Sequence, residues 1–128
     1  MRNIETIVYF DLDATGLKNS GKPRICEISL LAVNTKDVLD LHKKIMENFK
    51  TGRLEVTAVN LEHVLPRVIN KLTLCVYPMK TIVPLVSDIT GLDNYNLSGQ
   101  SRFTKNTGNL IDGFLICLPS PVCLVAHN

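Results

Sequence analysis

No stretch of this sequence is both apolar and long enough to cross a bilayer. The longest uncharged apolar run, Phe114 to Ala126, contains two prolines and falls well short of the roughly 20 residues that a spanning helix needs. The opening Met1-Arg2-Asn3-Ile4-Glu5 leads into an acidic strand, not the apolar centre and small-residue cleavage site of a secretion signal. The expectation is a soluble protein of the cytoplasm or nucleus that makes no membrane contact. Paired cysteines are missing too. Cys26, Cys75, Cys117 and Cys123 lie in apolar runs without a CxxC pair, and His42, His63 and His127 have no zinc-finger spacing with them. That speaks against a structural zinc site and makes buried, reduced thiols the expectation. Charge of one sign is scarce: 14 Lys and Arg stand against 12 Asp and Glu, net +2, with no basic cluster. Such a balance neither requires nor excludes a nucleic-acid partner, because bound cations neutralise phosphate as well as basic side chains do. There is no internal repeat and no low-complexity tract.

What is present is ordinary globular material. The chain has 128 residues, 45% hydrophobic and 20% charged, which reads as a single domain over residues 1–128. Ile4 to Leu12 is rich in β-branched and aromatic residues and predicts a central strand with apolar side chains on both faces, broken at Ala14-Thr15-Gly16. Ile25 to Val33 predicts a second strand, close enough to pair antiparallel with the first. The segment from 36 to 67 holds 11 of the 26 charged side chains and reads as a solvated insertion. Within it Val38, Leu41, Ile45 and Phe49 have helical spacing, with Thr35 as N-cap and Gly52 as stop. Val68 to Tyr77 alternates as a third strand, Ser87 to Leu92 is a capped helical turn, and Asn106 to Leu118 is an amphipathic helix ended by Pro119. Pro121 to Ala126 is a wholly apolar fourth strand. The order predicts an α/β fold: a mixed sheet made of an antiparallel meander plus one parallel strand reached by a helical crossover.

The chemically informative segment is Phe10-Asp11-Leu12-Asp13-Ala14-Thr15-Gly16-Leu17. Side chains alternate along a strand, so Asp11 and Asp13 leave it on the same face. By spacing alone the pair reads first as a strand end entering a turn, and second as a locus for a hard divalent cation. Two like charges one pleat apart repel, and Mg²⁺ or Mn²⁺ relieves that with carboxylate oxygens while keeping water positions open for phosphate.

The segment Phe10 to Leu17 resembles the first motif of the DnaQ-like, DEDDh exonucleases, usually Asp-x-Glu-x-Thr. Further segments resemble the three-prime repair exonuclease branch of that family. These are Arg24 to Val33 for its second strand, Asn70 to Val76 for its third, Ser87 to Leu92 for its substrate-side helix, and Cys123 to Asn128 for the approach to its second motif. They occur in the family's order and cover nearly everything outside 36–67.

The resemblance implies a ribonuclease-H-like fold, incomplete at the C-terminus, and 3′-to-5′ removal of nucleotides from single-stranded or frayed DNA ends with two Mg²⁺ or Mn²⁺ ions. It implies Asp11 and Asp13 as catalytic metal ligands. Asp13, Ala14, Thr15, Leu17, Ile89 and Thr90 would contact substrate, with Leu17 and Ile89 packing on terminal bases. It further implies a homodimer through the edge of the third strand. Two departures stand out: Asp13 replaces the family's glutamate, and the chain stops at His127-Asn128, before the second-motif aspartate, the general-base histidine and the final aspartate of the pattern. His127 belongs to the approach segment and is expected to pack at a strand end, not to act as base. The expectation is therefore an exonuclease segment inactive in isolation, or alternatively a non-catalytic dimerisation or nucleic-acid-binding module that keeps the sheet.

Overall fold

Polar and apolar residues alternate along Ile25–Asn34, and the alternation decides where this strand goes: Cys26, Ile28, Leu30 and Ala32 are buried, while Leu31 is exposed and Glu27 and Ser29 are only half-buried. The structure, a computed structural model, describes residues 3–16, 21–50 and 65–126. Its elements are β1 (Thr6–Ala14), β2 (Ile25–Asn34), α1 (Thr35–Lys50), β3 (Val68–Cys75), α2 (Pro84–Thr90), α3 (Lys105–Ile116) and β4 (Val122–Ala126). The four strands form one sheet in the order β3-β2-β1-β4. β1 pairs antiparallel with β2 (Val8 opposite Ala32, Phe10 opposite Leu30) and β2 antiparallel with β3. β4 joins parallel to β1, with Thr6 opposite Val122. The expected meander plus parallel strand is the observed sheet, and the parallel pair is reached through α2 and α3.

One face carries the core. Val8, Ile28, Leu30, Ala32 and Leu118 are buried together, with Phe10, Leu72, Ile111, Phe114 and Leu115 packed against them. α3 therefore covers this face with Ile111, Phe114 and Leu115, and its start is fixed by a reciprocal cap between Thr104 and Thr107. Leu110, expected on the same apolar stripe, is instead 56% exposed. A smaller cluster of Cys26, Ile82 and Leu97 closes the end of the sheet where β2 begins. The opposite face of β1 is only partly covered: Tyr9 is 42% exposed, so β1 is central in the sheet without being buried on both sides.

Several boundaries differ from expectation. The helix expected within the insertion is present, but it runs 16 residues and starts at Thr35 itself, not after it. Asn34 does the capping, its Oδ1 accepting from the Lys36 N–H at 3.4 Å, while the buried Thr35 hydroxyl has no partner. The expected stop at Gly52 lies outside the described residues. α2 begins at Pro84, three residues before the predicted turn, because proline at the first helical position needs no N–H partner. It ends at Gly91, whose φ of 73° is the left-handed conformation that glycine adopts without penalty. β3 stops at Cys75, short of Tyr77. The four cysteines are free as expected, but only Cys26 is buried; Cys117 is exposed and the other two are half-buried. No helix among the described residues is long and apolar enough to cross a membrane.

The packing makes a direct stability prediction. Leu30, 3% exposed in the middle of β2, is expected to cost about 2–5 kcal/mol when cut to alanine. Leu110→Ala, on the wet side of α3, should change stability by less than about 0.5 kcal/mol. Urea denaturation of the two variants measures the contrast, and equal losses would mean that α3 packs through a different face.

Candidate active site

The end of β1 is where polar chemistry concentrates. Asp11, Asp13, Ser29 and Glu27 share one sheet face, with Asp11 opposite Ser29 and Asp13 opposite Glu27. Asp11 is exposed, and its Oδ1 accepts from the Leu12 N–H at 2.9 Å, which holds the carboxylate along the strand. Asp13 is half-buried. Glu27 is the carboxylate that motif reading missed. Its signal was the alternation Cys26-Glu27-Ile28-Ser29, which puts Glu27 on the polar face once register is known. Both its oxygens are engaged by neutral donors: the Ser29 hydroxyl reaches Oε1 at 3.1 Å and the Cys75 thiol reaches Oε2 at 3.3 Å. Burial, that hydrogen bond and the Glu27 charge push the Cys75 thiol pKa up, while burial, then Asp13, raises that of Cys26. Neither thiol is primed as a nucleophile.

Asp13 has its pKa raised, first by burial and then by the charges of Asp11 and Glu27. Among the described residues no ion-pair partner offsets these three acids. Two oxygen-donor side chains on one face, one resisting ionisation through burial and then through its acidic neighbours, are a condition that a divalent cation relieves, so the pair fits as part of a metal site. It is a partial set: the described residues contain no group of three or more metal-binding side chains.

Immediately after the carboxylates the strand slips register between Asp13 and Ala14, and Thr15 turns inward, 1% exposed. Its N–H donates to the Arg24 carbonyl at 2.9 Å, its hydroxyl accepts from the Arg24 N–H at 3.2 Å, and its carbonyl accepts from the Val83 N–H at 3.4 Å. Val83 caps α2. One residue thus ties the carboxylate strand to the helix that carries Ile89 and Thr90. Ile89 is 75% exposed, whereas the Thr90 hydroxyl is turned into its own helix, donating to the Val86 carbonyl at 2.8 Å. Leu17, His127 and Asn128 lie outside the described residues.

No family model matches the sequence. Individual proteins do. The chain is 40% identical over 129 residues to three prime repair exonuclease 2 of Mus musculus, covering 97% of this chain and 47% of that protein. It is 39% identical over 127 residues to three-prime repair exonuclease 1 of Homo sapiens, covering 98% of this chain and 37% of that protein. The chain therefore spans less than half the length of these curated relatives. Among solved structures, the nuclease domain of 3′hExo, a DEDDh family member, superposes with a TM-score of 0.63 at 14% identity, over 98% of this chain and 52% of that one. Cell-death related nuclease 4 gives 0.63 at 12%, over 96% and 35%. At such identities these two structures establish the fold, and it is the expected one.

The raised Asp13 pKa carries a sign. A carboxyl that holds its proton more tightly folded than unfolded contributes stability below its unfolded pKa of about 3.9, and that stability is lost as pH rises through the folded value. Asp13→Asn is therefore expected to raise the melting temperature at pH 7, with the gain vanishing below about pH 4. Thermal melts across that range check it. A gain that persists unchanged into acid would show that the acidic cluster does not strain the fold.

Proposed function

We propose a function on the premise that the chain belongs to the three-prime repair exonuclease family: it supplies the first two metal-binding carboxylates of an enzyme that removes nucleotides from 3′ ends of DNA. The observation that carries this reading is the Asp11–Asp13 pair on one face, next to a turn pinned to the substrate-side helix. Asp11 and Asp13 would hold divalent ions, Mg²⁺ or Mn²⁺ and two in the complete enzyme. Such ions, when bound, stabilise the attacking and leaving oxygens of a phosphodiester displacement and lower the pKa of the attacking water. The chain's own residues do the positioning. The exposed Ile89, with Leu17 by resemblance, packs on terminal bases; apolar contact of that kind tolerates any base and suits single-stranded or frayed ends. Ala14 and Thr15 line the place of the terminal nucleotide. The Thr15 amide donates to the Arg24 carbonyl and the Thr15 carbonyl accepts from the Val83 N–H, which leaves the second lone pair of the Thr15 carbonyl for a substrate hydroxyl. Thr90 sits beside Ile89 and steadies α2.

Two carboxylates supply fewer oxygens than a near-octahedral ion needs, so activity draws on ligands beyond this pair. Asp13, one methylene shorter than the family's glutamate, makes the ligand geometry less forgiving still. The test is release of label from a 3′-labelled single-stranded oligonucleotide in Mg²⁺. A polypeptide of the relatives' full length carrying these residues is expected to trim it, with Asp11→Asn slowing the rate at least about 100-fold. The 128-residue chain alone is expected to release nothing above background. Trimming by the short chain that Asp11→Asn abolishes would overturn the two-carboxylate account, and no metal-dependent trimming by the long one would overturn the function.

A homodimer is the partner reading, supported by the edge position of β3, where Val68 and Ile69 are 44% and 42% exposed. Unpaired strand edges recruit further strands, and lysine on such an edge discourages it. Sedimentation is expected to show a dimer that Val68→Lys with Ile69→Lys converts to monomer. A monomeric parent chain would remove this reading.

A further inference from the structure

Away from the carboxylates, the start of β2 and the chain beyond β3 enclose a depression of about 360 Å³, within the roughly 300–1,000 Å³ of small-ligand sites. Its walls include Arg24, Tyr77, Met79, Arg102 and Phe103. A second depression of about 330 Å³ shares Tyr77 and Met79 and continues along Lys80, Thr81, Asn94 and Ser98. Among the described residues no aspartate or glutamate lines either one. Neither Arg24 nor Arg102 has an ion-pair partner among the described residues, and both are exposed, as are Tyr77 and Phe103. The walls are fixed to each other: Tyr77 bridges Arg102, its N–H bonding the Ser101 carbonyl at 2.9 Å. On the shared ridge Met79 has φ 54°, a left-handed conformation that non-glycine residues rarely hold, and such strain gathers where a surface is shaped for use.

We propose that these adjoining depressions form a second nucleic-acid contact, distinct from the carboxylate pair, in which unpaired bases of a single strand stack on Tyr77 and Phe103 while Arg24 and Arg102 hold the phosphates. Planar guanidinium groups and aromatic faces, with no acid among the described lining residues, match a polyanion whose bases have π faces. Two compartments on either side of one aromatic ridge suit successive nucleotides better than one compact ligand. The choice of nucleic acid rests on the exonuclease reading; the groove itself uses none of its metal ligands. It also joins that site physically, because Arg24 holds Thr15 through both its N–H and its carbonyl.

The experiment is fluorescence anisotropy of the 128-residue chain with a short labelled oligothymidylate bearing a 3′-phosphate, in EDTA and at several salt concentrations. Phe103→Ala is expected to weaken binding about 5- to 150-fold, and Phe103→Tyr, which keeps a stacking face, to restore it. Arg102→Glu should weaken binding and flatten the log–log salt slope by at least about 0.7. Thermal melts confirm that the variants, altered at exposed positions, remain folded. Binding unchanged by these substitutions would overturn the proposal. So would displacement by poly-glutamate as effective as by unlabelled oligothymidylate, which would assign the groove to an acidic protein. No metal-dependent trimming by the polypeptide of the relatives' full length, with arginine-dependent binding retained, would sink the exonuclease reading alone, and trimming by that polypeptide without such binding would sink the groove alone.

Discussion

Thr15 is the point through which the rest of this end of the molecule is positioned. Its amide, carbonyl and hydroxyl each hold a different backbone group, two on Arg24 and one on Val83. A buried polar residue is costly unless satisfied, and this one is satisfied only when β1 ends, β2 begins and α2 starts in one arrangement. The slip between Asp13 and Ala14 brings Thr15 inward and leaves the two aspartates outward. The same hydrogen bonds thus set the carboxylates, the apolar helix beside them and the mouth of the arginine-lined groove.

The acidic face shows the opposite economy. Asp11, Asp13 and Glu27 lie together without a cationic partner among the described residues; Glu27 is quieted by a hydroxyl and a thiol, and Asp11 by one backbone N–H. An arrangement of this kind lowers stability. The hydrophobic side supplies the compensation: Val8, Ile28, Leu30 and Ala32, gripped by α3, lie directly behind the same strands.

Legibility in the sequence followed the range of the interactions. β1, β2 and β4 were readable because alternation and β-branched content are local, and the Asp11–Asp13 pair because strand period alone puts them on one face. Asn34 displaced Thr35 as cap because a cap depends on where the preceding strand lets go, which pattern does not record. Leu110 fitted the apolar stripe but missed the core, since the sheet meets α3 along a narrower line. Glu27 joins the acidic cluster only through cross-strand register. The groove was illegible for the same reason: Arg24, Tyr77 and Arg102 are far apart in the chain and meet only through the sheet and the bridge at its end.

The parallel partner of β1 has a bearing on the order in which the fold is completed. Between the Thr6 hydroxyl and the Pro119 carbonyl that accepts from it at 2.7 Å lie 113 positions of chain. β2 is a near neighbour in sequence and closes a small loop, so the hairpin of β1 and β2 costs little entropy to form. β4 can dock only after α2 and α3 have carried the chain across. Through most of its assembly, then, the strand bearing the aspartates is a hairpin arm with one edge open. A ribosome-tethered intermediate, or a cell short of chaperones, would expose that edge for as long as the crossover takes to settle. The strand that carries Asp11 and Asp13 is in this sense closed early on one edge and late on the other.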